Sequence, residues 1–174
     1  MADFQEIARL DFRLSASLLS TDDRGYTFRP PVLRAGRGLE DQPYLFFSSN
    51  PSNRTLRGFH LQVSPYEETK LITCMSGAIF VAVFNPEANF TDGTRTATFT
   101  LEAKNGYSLL VGRGVATAWI TLENNTNVLY QISGKHNPDA SRGYRFDDPY
   151  IGVKWPFEPE VISDRDMMWD FLSP

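Results

Sequence analysis

Apolar and polar residues alternate with a period of two along most of this chain, the period of a strand rather than a helix. The clearest case is residues 55–62, where Leu56, Gly58, His60 and Gln62 share one face and Arg57, Phe59 and Leu61 the other. Similar runs at 44–49, 70–75, 106–111, 116–122 and 127–133 predict further strands, with an earlier one between 9 and 19. Residues 78–84 are almost wholly apolar, which predicts a central strand buried on both faces. Residues 94–102 alternate Thr and Arg with Ala, Phe and Leu, which predicts a half-exposed one. Turn chemistry separates the runs at Thr21-Asp22-Asp23-Arg24-Gly25, Asn50-Pro51, Ser64-Pro65-Tyr66, Gly112-Arg113-Gly114 and Glu123-Asn124-Asn125. Ser76-Gly77 reads as a hairpin turn, and Pro30, Pro31, Gly36 and Gly38 mark 29–42 as a surface loop. Near the end, 163–169 reads as a short helix with Ser163 as N-cap and Asp166 three residues on, a variant of the capping box. Eight or more strands at hairpin-like spacing predict an all-β jelly-roll β-barrel with a short C-terminal helix and room for a ligand in the barrel's mouth.

Composition narrows the class. At 174 residues the chain is the size of one domain, read as N-terminal strands and loop (about 1–45), barrel (about 46–135) and irregular C-terminal segment with helix (about 136–174). Hydrophobic content of 41% and charged content of 22% are those of a soluble globular protein. A net charge of -4 with no basic stripe argues against a nucleic-acid partner. Cys74 is alone and cannot form an internal disulfide. Asp3, Glu6 and Asp11 stand where a signal peptide needs a basic end and an apolar core, and no run is long enough to span a bilayer. The expectation is a cytoplasmic protein without a membrane partner.

Taken singly, the candidate chemical residues have ordinary structural readings. His60 suits a general base because imidazole titrates near neutral pH, but a lone strand histidine is more often a hydrogen-bonded structural residue. With no His-x-His and His136 distant in sequence, imidazoles are too few for the usual metal site of such barrels, so no metal is expected. Tyr130 reads as a barrel-lining aromatic and Lys70 as a solvated edge residue, unless it turns inward to meet an anion. Asp166 fits a helix N-terminus, Arg24 and Arg57 fit the surface, and Cys74 fits a small buried position.

Their order along the chain says more. Thr55-Leu56-Arg57-Gly58-Phe59-His60-Leu61-Gln62, followed by Lys70-Leu71-Ile72, resembles the signature of the dTDP-4-dehydrorhamnose 3,5-epimerase family. The likeness continues through residues 76–83, Tyr130-Gln131, Asn137-Pro138, residues 147–156, which are close to the family's Asp-Asp-Pro…Gly-Ile-x-Trp-Pro, and residues 162–166. Asp23-Arg24-Gly25 matches an Asp-x-Arg-Gly turn less specifically.

The resemblance implies a cupin-type jelly roll, usually a homodimer, that epimerises a nucleotide-linked 4-keto-6-deoxysugar without cofactor or metal. It implies His60 as base, Asp166 as its partner, Tyr130 as acid on the opposite face of the sugar, and Lys70 as stabiliser of charge on the C4 oxygen. Arg57 and Arg24 would meet the diphosphate, with Asn50, Gln62, Thr117, His136 and Arg165 as further substrate contacts. The family pattern is not kept throughout. Thr117 stands where the family has a second active-site histidine, and Lys135-His136 replace an aromatic pair. Such changes leave dTDP, CDP and GDP all open as the nucleotide, and C3, C5 or both as the inverted carbon. The rival reading is a catalytically silent barrel that binds a nucleotide sugar. Strict alternation also puts Arg57 on the face opposite His60, so one shared site needs a twist or bulge between them.

Overall fold

The computed structural model describes residues 4–7, 12–16, 19–22, 25–28, 43–88, 95–133 and 136–172. In chain order the strands are β1 (Phe4–Ile7), β2 (Phe12–Ala16), β3 (Leu19–Asp22), β4 (Gly25–Phe28), β5 (Tyr44–Asn50), β6 (Leu56–Gln62) and β7 (Lys70–Ser76). They continue as β8 (Ala78–Phe84), β9 (Thr96–Glu102), β10 (Tyr107–Val111), β11 (Ala116–Thr121), β12 (Thr126–Ile132) and β13 (Ser141–Gly143), before helix α1 (Asp164–Met167). A six-stranded sheet runs β1-β2-β10-β7-β12-β5 and a five-stranded sheet runs β13-β6-β11-β8-β9, with β3-β4 as a separate hairpin. Neighbours within the sheets are antiparallel, and the fold is a jelly roll.

The two sheets face each other across the main core. Ile72 and Cys74 from β7 and Val128 from β12 meet Ile79, Val81 and Val83 from β8 and Trp119 from β11. The five-stranded sheet is covered on its outer face as well. There Phe59, Ala82, Phe84, Ala116 and Ala118 pack against Ile151, Tyr144, Val153 and Trp155 of the C-terminal segment. This second cover explains why residues 78–84 carry apolar side chains on both faces.

The Ser76-Gly77 turn is not a hairpin. β7 and β8 belong to different sheets, so the chain crosses from one layer to the other at Gly77. Gly77 holds φ +72°, and a Cβ there would overlap the Thr126 side chain, so glycine is required at the crossing. The expected loop at 29–42 and the Asp23-Arg24 turn lie outside the described residues.

Candidate active site

Arg57 and His60 line the same cavity, despite alternation. A one-residue bulge reconciles them. Arg57 pairs with Trp119 and His60 with Thr117, so β6 advances three residues while β11 advances two. Gly58 takes up the extra residue at φ +112°, and a Cβ there would overlap the Thr117 carbonyl oxygen and lie 2.6 Å from Ala118 Cα. Phe59 turns to the opposite face, into the C-terminal cluster.

Asp166 ties this bulge to the helix. The Asp166 N–H donates to the Ser163 hydroxyl at 3.2 Å, the expected cap. Its carboxylate accepts the Gly58 N–H at 3.1 Å with one oxygen, and the other lies 2.6 Å from His60 Nε2. Burial raises the pKa of Asp166, but the His60 hydrogen bond and charge, the Gly58 amide and Ser163 outweigh it and hold it below its ordinary value. A carboxylate only accepts, so Nε2 carries the imidazole proton and Nδ1 the lone pair. The His60 side chain is 44% exposed and that of Asp166 only 4%, so a ligand can reach the imidazole but not its partner.

The six-stranded sheet supplies the other wall. Tyr130 on β12 accepts a hydrogen bond from Trp119 Nε1 through its phenolic oxygen, which leaves its own proton to be donated elsewhere. Burial, against the Trp119 hydrogen bond and the Arg57 charge, pushes the phenol up to about 12. Tyr130 is therefore a protonated donor at neutral pH. The Phe46 ring on β5 lies 5.6 Å from that of Tyr130.

Lys70, at the start of β7, is not a solvated edge residue: it is buried and points inward. Its Nζ donates to the His60 carbonyl at 3.0 Å and pairs with Glu68 at 3.2 Å. Burial lowers its pKa, and the Glu68 charge and hydrogen bond recover only part of the shift.

The cavity between these walls encloses about 440 Å³, within the range of small-ligand sites. Gln62, Thr117, His136 and Arg165 line it too, as their sequence positions suggested. Gln62 is spent on its neighbours: Nε2 donates to Glu68 at 2.8 Å, and Oε1 accepts the Asn137 N–H at 2.8 Å. Asn50 does not line the cavity. It lies buried behind Arg57, accepting from Arg57 Nε at 3.0 Å and donating to the Thr126 carbonyl at 3.0 Å. Arg24 lies outside the described residues.

Several lining residues were not singled out from sequence: Tyr44, Phe46, Glu68, Trp119, Ser141 and Arg142. Two carried a signal. Glu68 is two residues before Lys70 and Trp119 two after Thr117, so alternation places each pair on one side. Ser141 and Arg142 sit on the three-residue β13, too short to show a pattern. Among the described residues no three of His, Cys, Asp and Glu gather as a metal-ligand group, and no helix is long and apolar enough to cross a membrane.

Known proteins resemble this chain in sequence and in fold. The sequence profile of the dTDP-4-dehydrorhamnose 3,5-epimerase family matches residues 13–173. The dTDP-4-dehydrorhamnose 3,5-epimerase of Sinorhizobium fredii is 31% identical over 172 residues, covering 94% of this chain and 86% of that protein. The enzyme of the same name from Shigella flexneri is 29% identical over 153 residues, 84% of this chain and 82% of its own. The crystal structure of dTDP-4-dehydrorhamnose 3,5-epimerase from Bacillus anthracis, with TDP and PPi bound, gives a TM-score of 0.85 at 26% identity. It covers 99% of this chain and 100% of that one. With a match running almost end to end in sequence and in fold, the chain belongs to the dTDP-4-dehydrorhamnose 3,5-epimerase family of isomerases.

Proposed function

We propose that this protein inverts C3, C5 or both of a nucleotide-linked 4-keto-6-deoxysugar by proton transfer between side chains, without a cofactor. The observation that carries the reading is the pairing of two walls. His60, backed by Asp166, stands on the five-stranded sheet, and Tyr130 on the six-stranded sheet lines the same cavity. His60 Nδ1 takes the proton from the carbon next to the ketone, and the electron pair moves into an enolate with its charge on the C4 oxygen. Asp166 holds the imidazolium that results. Lys70 meets the charge on oxygen, the role of an oxyanion donor. Tyr130 then donates its proton to the opposite face of that carbon, and solvent restores the phenol and the imidazole.

Arg57, fixed by Asn50, supplies a guanidinium for the diphosphate, with Arg24 and Arg165 as further cations. TDP bound to the Bacillus anthracis relative favours a dTDP-linked substrate over CDP or GDP. A homodimer is part of the same proposal. Its support is β5, which pairs only with β12 among the described residues and exposes Leu45 (69%) and Phe47 (58%).

The test is incubation in D2O with dTDP-, CDP- and GDP-linked 4-keto-6-deoxysugars, read by NMR. Deuterium should enter C3, C5 or both with the dTDP sugar. No exchange in any series would remove the epimerase reading in favour of a silent sugar-nucleotide binder.

A further inference from the structure

One carboxylate lines the cavity without a part in this proton transfer. Among the described residues that line it, Glu68 is the only acidic one, and its side chain is 9% exposed, against 8% for that of Lys70. One oxygen pairs with Lys70 Nζ at 3.2 Å, and the other accepts from Gln62 Nε2 at 2.8 Å. Gln62 is itself anchored by the Asn137 N–H. The second contact of Lys70 Nζ is the backbone carbonyl of His60 at 3.0 Å. The ammonium thus lies between a fixed carboxylate and the main chain of the residue that carries the base. The remaining titratable or charged groups that line the cavity, among the described residues, are Arg57 and His60 on β6, Tyr44 on β5, Tyr130 on β12, and His136, Arg142 and Arg165 from the C-terminal segment. Tyr44 is pushed up to about 12 by burial and by Glu68, so it stays neutral near pH 7. Among the described residues that line the cavity, Glu68 alone can therefore balance Lys70.

We propose that Glu68 is a positioning residue that keeps the Lys70 ammonium charged and fixed, clamped between its own carboxylate and the His60 carbonyl. A lysine buried this deeply without an opposite charge gives up its proton readily, and a neutral amine brings no positive charge to an enolate oxygen. The consequence for catalysis rests on the function proposed above; the clamp does not.

The clamp is tested by NMR titration of Lys70 in protein carrying 13C-lysine, with the signal assigned by Lys70→Arg. Glu68→Gln should lower the Lys70 midpoint by roughly one unit, the size of effect an opposite charge exerts at this distance. Glu68→Asp keeps the charge and should stay within about half a unit of the parent. Equal midpoints in the parent and Glu68→Gln, or a fall as large in Glu68→Asp, would overturn the clamp. Where Glu68→Gln does not fold, Gln62→Leu frees the carboxylate and should move the midpoint the same way; an unmoved midpoint there also overturns it. In the deuterium-exchange assay, the alkaline limb of kcat/KM should shift to lower pH in Glu68→Gln with KM nearly unchanged. A limb that stays while the midpoint moves leaves the clamp standing and removes Lys70 from the chemistry.

Discussion

The two nitrogens of His60 are not equivalent, because Asp166 takes the proton-bearing one at 2.6 Å. Asp166→Asn keeps the shape but lets the amide stabilise the other tautomer. Deuterium incorporation should then fall by about 10²–10⁴, with KM little changed. A variant with parental exchange would strip Asp166 of its role. His60→Asn should abolish exchange while ligand affinity, measured calorimetrically, survives. Tyr130→Phe should still wash out the substrate proton yet yield no inverted sugar; normal product would assign the acid elsewhere. The depressed pKa of Asp166 also sets a stability window. Its folded value lies below the ordinary 3.8, so its contribution is complete above that pH and is lost as pH falls through the folded value. In urea unfolding across a pH series, the gap between parent and Asp166→Asn should be constant above about pH 5 and should close in acid. At this scale the sequence was legible in placement where residue type and motif order agreed: His60, Lys70 and Tyr130 line one cavity, and Asp166 lies against His60. It was opaque for Asn50, whose burial behind Arg57 leaves no trace in pattern.

Period two located the strands because half-buried antiparallel sheets impose it, and the short helix was legible from Ser163. Partnering was less legible. Ser76-Gly77 looks locally like any hairpin turn, and only the packing of two layers decides that β7 and β8 part company there. The bulge in β6 was foreseen as a need, not as a place, since a glycine in a strand has several readings. Gly58→Ala tests that place. The added methyl meets Thr117 and Ala118 main-chain atoms, and φ +112° suits no L side chain, so stability should drop by about 1–3 kcal/mol. Because the Gly58 N–H also holds Asp166, proton exchange should fall with it. An alanine variant with parental melting and exchange would mean that the bulge does not need glycine.

Across the whole molecule, two surfaces of the jelly roll are treated differently. The five-stranded sheet is covered by the chain's own C-terminal segment, anchored where the buried Asp148 accepts N–H groups from Tyr150 at 2.7 Å and Leu172 at 2.6 Å. The six-stranded sheet leaves Leu45 and Phe47 of β5 exposed. If a second copy covers them, Leu45→Lys with Phe47→Lys should convert a dimer to a monomer in sedimentation, and a double variant that stays dimeric would put the interface elsewhere. The C-terminal cover also has a consequence in time. A ribosome makes His60 well over a hundred residues before Leu172, and Asp166 follows His60 by 106 positions. While the barrel strands emerge, the imidazole has no carboxylate behind it and the outer sheet face has no lid. The proposed base therefore gains its partner only after every strand from β7 to β13 has been made.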